Sequence, residues 1–317
     1  MTRPRSAQVS LEDTPYYHCI SRCVRRAFLC GQDRFTGKSF NHRKPWLVKR
    51  IKHLSCVFAI DITAYAVMSN HYHLVLHVDL QRSRLWSVDE VIDRWLTLYK
   101  GPELVQRHHK GEQLLPLEQN KVLEIAQIWR NRLSSISWFM ACLNEFIARK
   151  ANAEDGCKGR FWEGRFKSKA LLDATALLST MAYVDLNPIR AGIANNLKDS
   201  SFTSIQDRIR EVAEKPLKDK PALMAFSESK SHDEPVKAIP YHLKDYIELV
   251  DWTGRIIMKD KRGFIPSTEP RILKILNLKT QDWEYLSLSI QKRSINTIHG
   301  LERLKAHEKQ QPKTLAA

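Results

Sequence analysis

Apolar positions over the first two hundred residues alternate between the two periods that distinguish strands from helices. Residues 16 to 22 (Tyr-Tyr-His-Cys-Ile-Ser-Arg) are β-branched and aromatic enough to predict a strand. From Pro45 onward, Trp46, Val48, Ile51, Leu54 and Phe58 recur at three- and four-residue intervals, which predicts a helix over 45 to 58. Residues 60 to 68 form a second strand, Ser69-Asn70 a tight turn, and 71 to 78 a third strand, giving the order strand, helix, strand, strand. Leu85, Trp86, Val88, Val91, Ile92 and Trp95 then mark amphipathic helical material, followed by a polar connection with His108 and His109; the stretch from about 80 to 128 reads as a helical insertion. Ser134 or Ser135 is placed to cap a helix running to about Ala151, with Ile136, Phe139, Met140, Leu143, Phe146 and Ile147 along one stripe. A strand over about 164 to 171 follows, then a helix from Asp173 to Leu186 that Asn187-Pro188 interrupts.

Beyond residue 212 the character changes. Lys, Pro, Ser and Asp dominate to Pro235, which predicts a linker over 213 to 235. Helical patterns at 241 to 258, 270 to 277, 281 to 291 and 296 to 306 predict a separate all-α domain over 236 to 317, after a catalytic domain over 1 to 212. The alternation in the first 190 residues predicts the α+β class: a ferredoxin-like antiparallel sheet with helices on one face. His71 and His73 then lie on the uncovered face, or near the sheet centre under a helix that brings a third partner.

Composition adds a partner class. The 317 residues are 43% hydrophobic, enough for one large or two ordinary domains. Lys and Arg outnumber Asp and Glu 51 to 35, for a formal net charge of +16. That excess points to a polyanion, with nucleic acid first and an anionic membrane surface second. No stretch reaches the ~18 apolar residues of a membrane span, and no apolar signal core follows Met1-Thr2-Arg3-Pro4. A cytoplasmic protein is expected. Cys19, Cys23, Cys30, Cys56, Cys142 and Cys157 form no Cys-x-x-Cys pair, and reduced thiols are expected.

The candidate chemistry starts at His71 and His73. Residues i and i+2 of a strand share a face, so both imidazoles leave the sheet together, as a strand-borne pair of metal ligands would. Structural histidines fit the same spacing. On the helix ending near 187, Tyr183 and Asn187 are four apart and share a face, a phenol able to act as nucleophile and an amide able to give oxygen to a hard cation. Tyr183 also suits a core position beside Met181 and Leu186, and Asn187 suits a cap before Pro188. Asp185 points away at i+2. Residues 159 to 170 (Gly-Arg-Phe-Trp-Glu-Gly-Arg-Phe-Lys-Ser-Lys-Ala) set Arg165, Lys167 and Lys169 on one strand face, with Phe161, Trp162 and Phe166 as stacking surface. Cations interleaved with aromatics suit single-stranded nucleic acid. A solvated charged face would look alike.

These features meet in one family. Ala66-Val67-Met68 before Asn70-His71-Tyr72-His73-Leu74, then Gly164-Arg165-Phe166-Lys167-Ser168, then Tyr183-Val184-Asp185-Leu186-Asn187-Pro188-Ile189-Arg190-Ala191-Gly192 resemble the HUH-type single-tyrosine transposases. The branch they are most similar to is the REP-associated tyrosine transposases of the insertion sequence 200-like superfamily. The opening Tyr17-His18-Cys19-Ile20-Ser21-Arg22 resembles that family's first strand, and the resemblance spans about residues 10 to 210.

The resemblance implies a metal-dependent single-strand DNA transposase that cleaves and rejoins hairpin-forming, REP-like DNA through a 5′-phosphotyrosine. Tyr183 would be the nucleophile, and His71, His73 and Asn187 the ligands of Mg²⁺ or Mn²⁺. Arg22, Arg25, Arg26, Arg160, Arg165, Lys167, Lys169 and Arg190 would contact DNA, and the protein would act as monomer or homodimer, with no membrane partner. A free phenol ionises near pH 10, so Tyr183 would need a cationic setting. Two features depart from the family: the long segment from about 80 to 128 and the helical part after 235. Rival readings are an HUH replication initiator or relaxase, a domesticated non-catalytic hairpin binder, and a His-x-His metal hydrolase, which would need further His and Asp ligands.

Overall fold

A computed structural model describes residues 9–24, 29–33, 36–194, 196–213, 223–227, 238–257 and 297–298. Its strands are β1 (Tyr16–Arg22), β2 (Ile60–Val67), β3 (His71–Val78), β4 (Lys167–Leu171) and the two-residue β5 (Thr297–Ile298). They form one sheet in the order β2-β3-β1-β4-β5. The first four are antiparallel throughout, and β5 joins β4 in parallel. Ala170 pairs with Thr297, so a strand edge stands where a helix over 296 to 306 was expected. The helices expected at 270 to 277 and 281 to 291 lie outside the described residues.

Helices α1 (Lys44–Val57), α2 (Leu80–Leu85), α3 (Val88–Leu96), α4 (Glu103–His109), α5 (Pro116–Leu133) and α6 (Ile136–Glu154) come before β4. After it come α7 (Ala174–Asp185), α8 (Asn187–Arg190), α9 (Ser204–Ala213) and α10 (Leu243–Ile257). The expected polar connection at His108 and His109 is the last turn of α4, where the two imidazoles reach back to Asp89 and Asp93 of α3 at 2.9 and 3.1 Å. Ser135 occupies the N-cap position of α6 without a side-chain capping bond.

The sheet is covered on both faces, which corrects the expectation of helices on one. On the first face, Tyr17 and Cys19 of β1 and Tyr72, Leu74, Leu76 and Val78 of β3 are buried with α1, α6 and the α3–α5 helices. Trp95 of α3 stacks on Trp129 of α5 at 5.2 Å between centroids, so the inserted helices belong to this same core. On the second face, Ala64, Ala66 and Val75 meet α7, α9 and α10. The cause lies in β2 and β3, which are buried at nearly every position rather than at every second one. Strands apolar on both sides need two covers.

A bulge between Ile62 and Ala64 sets how β2 is shared out. One extra residue reverses the alternation, so Ile60 and Ile62 face the first layer but Ala64 and Ala66 the second. The carbonyl of Thr63 at the bulge accepts a hydrogen bond from Nη2 of buried Arg208 at 2.7 Å. Small side chains at 64 and 66 let α7 approach closely, and Gly254 does the same where α10 crosses it: a Cβ there would meet Leu186 Cδ2 at 3.0 Å.

The C-terminal part is tied to this second layer where it is described. Met224 donates its N–H to the Ile62 carbonyl at 2.8 Å, within the expected linker. Tyr246, Leu249 and Val250 of α10 are fully buried against α7 and its neighbours.

Candidate active site

Three strands and α7 build a cleft of about 370 Å³ on the second face. It is lined by His18, Ile20 and Arg22 of β1, His71 and His73 of β3, Lys167 and Lys169 of β4, the turn Glu163-Gly164-Arg165, and Tyr183. The strand contributions follow from register. In β1, 18, 20 and 22 share a face; Ile20 lies opposite His73 and Arg22 opposite His71, while His18 lies opposite Lys169 and Ile20 opposite Lys167. Alternation turns Tyr17, Cys19 and Ser21 into the first core and leaves their neighbours to the site.

The segment before β4 is pinned to the end of β1. Cys23 pairs with Trp162, and Glu163 donates its N–H to the Arg22 carbonyl at 2.8 Å. This carries the Glu163-Gly164-Arg165 turn to the cleft mouth. Arg165 therefore lies in a bend ahead of β4, not within a strand from 164. Phe161, Trp162 and Phe166 are 2%, 9% and 9% exposed and belong to the first core. This corrects their expected role as a stacking surface: their rings anchor the turn and are not open to bases beside the cations.

The imidazoles and the phenol sit edge to face. The ring centroids of His71 and His73 are 4.9 Å apart at 76°, and those of His73 and Tyr183 are 5.7 Å apart at 86°. His71 Nδ1 lies 2.7 Å from Asn70 Oδ1, so the residue before the pair orients its first ring. Tyr183 is half-buried against the second core, which lets α7 fix the ring while the side chain still lines the cleft.

His18 received no role from sequence. Its Nε2 lies 3.0 Å from His73 Nδ1, with the rings stacked at 17°, and both side chains are buried. Burial, followed by the charge of Lys169, holds His18 down to about 3, and burial with the charges of His18, His71, Arg22 and Lys169 lowers His73 as well. Both rings are neutral near pH 7. The signal for His18 was present in the period-two run His18, Ile20, Arg22, but only the strand order shows that β1 lies beside β3.

Asn187 is not among the lining residues. It opens α8, and its Nδ2 donates to the carbonyls of Tyr183 at 3.0 Å and Val184 at 3.4 Å, extending the end of α7. Those bonds use only the nitrogen end of the carboxamide. Asp185 faces away from the cleft, as its spacing indicated, and takes hydrogen bonds from Ser204 Oγ, the Ile205 N–H and Tyr246 Oη.

The expected DNA contacts divide. Arg22, Arg165, Lys167 and Lys169 line the cleft, and burial beside Lys167 lowers Lys169 from the usual lysine value. Arg160 turns its Nε to the Trp162 carbonyl at 2.9 Å and does not line the cleft. Arg190 is withdrawn under Tyr183: its Cζ is 4.9 Å from the ring centroid, and its three guanidinium nitrogens are buried without a hydrogen-bond partner among the described residues. Burial lowers Arg190 to about 10. Arg25 and Arg26 lie outside the described residues.

A divalent ion finds some of its needs here. His73 Nε2 is buried with no hydrogen-bond partner among the described residues. Among the described residues no group of three or more His, Cys, Asp and Glu is placed to hold a metal. An ion held by His71 and His73 would have to draw its other ligands from an amide, water or substrate oxygen.

No family model and no curated protein matches the chain. Among solved structures, the chain has a likeness to the structure of a REP-associated tyrosine transposase bound to a REP hairpin, at 12% identity over 68% of this chain and 92% of that one. The TM-score of 0.32 fixes no correspondence of fold, so the site stands on its own residues. No described helix is long and apolar enough to cross a membrane.

Proposed function

We propose that this chain is a metal-dependent HUH-type transposase that cleaves and rejoins single-stranded, hairpin-forming DNA through a 5′-phosphotyrosyl intermediate on Tyr183. The observation that carries the reading is the placement of the Tyr183 ring edge-on to His73 inside a cleft lined by Arg22, Arg165, Lys167 and Lys169. Sequence motifs 110 residues apart thus share one site. The four cations would receive the phosphates of an extended strand.

Tyr183 Oη attacks the scissile phosphorus. The Oη–P bond forms, the bond from phosphorus to the 3′-oxygen breaks, and that oxygen leaves with a proton as a free 3′-hydroxyl. A later 3′-hydroxyl reverses the step and reseals the strand, so no nucleotide cofactor enters. The guanidinium of Arg190 over the Tyr183 ring sets a buried cation beside the negative charge that would develop on the phenol oxygen in the attack. His71 and His73, with Asn187 as third ligand, would hold Mg²⁺ or Mn²⁺. When bound there, such an ion supplies a Lewis acid for the phosphate oxygens. A non-catalytic hairpin binder has no use for the unpartnered His73 Nε2, which favours the enzyme.

The test is covalent capture. Wild type with Mn²⁺ and labelled hairpin single strand should give an adduct that survives a denaturing gel, and Tyr183→Phe should give none. An adduct of equal yield from Tyr183→Phe, or none from wild type, would overturn the reading.

A further inference from the structure

The reaction above gives His18 no work, yet it is as closely placed to the site as any side chain in it. Its ring stacks on His73 at 17° with a 3.0 Å contact between Nε2 and Nδ1, and both rings are at most 3% exposed. β-Sheet register makes this contact: His18 faces Val75 and His73 faces Ile20, so the two histidines are diagonal neighbours on one face of β1 and β3. Two polar atoms of the pair have no hydrogen-bond partner among the described residues, His18 Nδ1 and His73 Nε2.

A neutral imidazole has one N–H and one lone pair. Two neutral rings that share a single contact can therefore be arranged in two ways. Either His18 donates from Nε2 and His73 carries its proton on Nε2, or His73 donates from Nδ1 and keeps a lone pair on Nε2. Only the second makes His73 a ligand. Without His18, the buried Nδ1–H of His73 would lack an acceptor, and the ring could turn or take the other tautomer.

We infer that His18 is a positioning residue that accepts the Nδ1–H of His73, and so holds the His73 ring in the tautomer and orientation that leave Nε2 free for the metal. This deepens the proposed function and rests on it. The usual partner of a metal-bound histidine is a carboxylate or a backbone carbonyl. A neutral imidazole does the same job without an anion that Arg22 and Lys169 would draw away.

The experiment is a Mn²⁺ titration followed by the electron-spin resonance of the free ion, with hairpin single strand present. His18→Leu should weaken Mn²⁺ binding by about 10- to 100-fold, the usual cost of losing the group behind a ligand. His18→Gln, whose amide reaches the place of Nε2, should restore most of it; His18→Asn, which places its amide near Nδ1, should not. Wild-type affinity in His18→Leu overturns this inference and leaves the proposed function standing, whereas a wild type that binds no Mn²⁺ overturns both. Should His18→Leu not fold, ¹⁵N spectra of the imidazoles in metal-free wild type decide: a proton on His73 Nδ1 supports the inference and a proton on Nε2 overturns it.

Discussion

The two faces of the sheet are built from the same strands and have opposite contents. The first face buries aromatic and branched residues of β1 and β3 under α1, α6 and the α3–α5 helices, and at its centre one polar chain closes on itself: Tyr72 Oη donates to Asn144 Oδ1 at 2.6 Å, and Asn144 Nδ2 donates to Ser21 at 3.0 Å. The second face buries only small apolar residues of β2 and β3 at its centre, Ala64, Ala66 and Val75, and leaves His73 Nε2, His18 Nδ1 and the Arg190 guanidinium without a hydrogen bond among the described residues. Satisfied polar groups add to stability, while unsatisfied buried ones cost it. Side-chain alternation lets one strand serve both ends, with stability on one side and chemistry on the other.

The sharpest break in this comparison lies between adjacent residues. Leu74 is fully buried in the first core and His73 lies one position earlier on the opposite face. Leu74→Ala should cost about 2 to 5 kcal/mol of unfolding free energy, read by urea denaturation, while the folded fraction still binds Mn²⁺ and DNA. His73→Ala should abolish Mn²⁺ binding with a smaller loss of stability, because its ring lines the cleft rather than the first core and gives up one contact, that of Nδ1 with His18 Nε2. Equal destabilisation by the two, or retained Mn²⁺ binding in His73→Ala, would erase the distinction between the faces.

What sequence could show follows the same division. Helix α1 at Lys44–Val57 and strand β3 at His71–Val78 stand within a residue of their expected bounds, because α1 keeps one clear period after Pro45 and β3 is a short apolar run bounded by the turn at Ser69-Asn70. The second layer was not legible. α7 is buried on nearly every side, so its sequence has no polar face to say what it packs on. β2 changes face at its bulge, which no alternation rule anticipates. Tyr183 and the histidine pair were legible as parts, and their meeting depends on a sheet order that spans long chain separations. Phe161, Trp162 and Phe166 misled for a general reason: aromatics between cations have the same spacing whether they stack on bases or fill a core.

A smaller contrast concerns pH. Asp185, fully buried in the second layer, is raised to about 6 by desolvation, against the lowering effect of Ser204, Tyr246 and Arg208. Its folded pKa lies above the unfolded value near 3.8. The group therefore contributes stability that is complete below about pH 4 and lost as pH rises through 6, on the order of 2 to 3 kcal/mol. The free energy of unfolding of wild type minus that of Asp185→Asn should fall by that amount between pH 4 and 7.5. The neutral Tyr72–Asn144–Ser21 chain of the first face has no such titration, and Asn144→Ala should lower the curve equally at both ends. Parallel curves for wild type and Asp185→Asn would show that the second layer does not hold a strained carboxylate.

The smallest expected effect separates cations five residues apart. Arg165 lines the cleft, whereas Arg160 is turned to the Trp162 carbonyl outside it. If phosphates lie along the cleft, each cleft cation removed should reduce the slope of log affinity against log salt by about 0.7 for a single strand. Arg165→Ala and Lys167→Ala should each do so, and together should nearly double the change. Arg160→Ala should leave the slope unaltered, although it removes the same charge from the same motif. Fluorescence anisotropy of a labelled hairpin strand between 50 and 300 mM salt reads the difference. An equal loss of slope from Arg160 and Arg165 would mean that DNA is attracted by the net charge of +16 rather than seated in the cleft, and the second face would lose its claim to be the binding side.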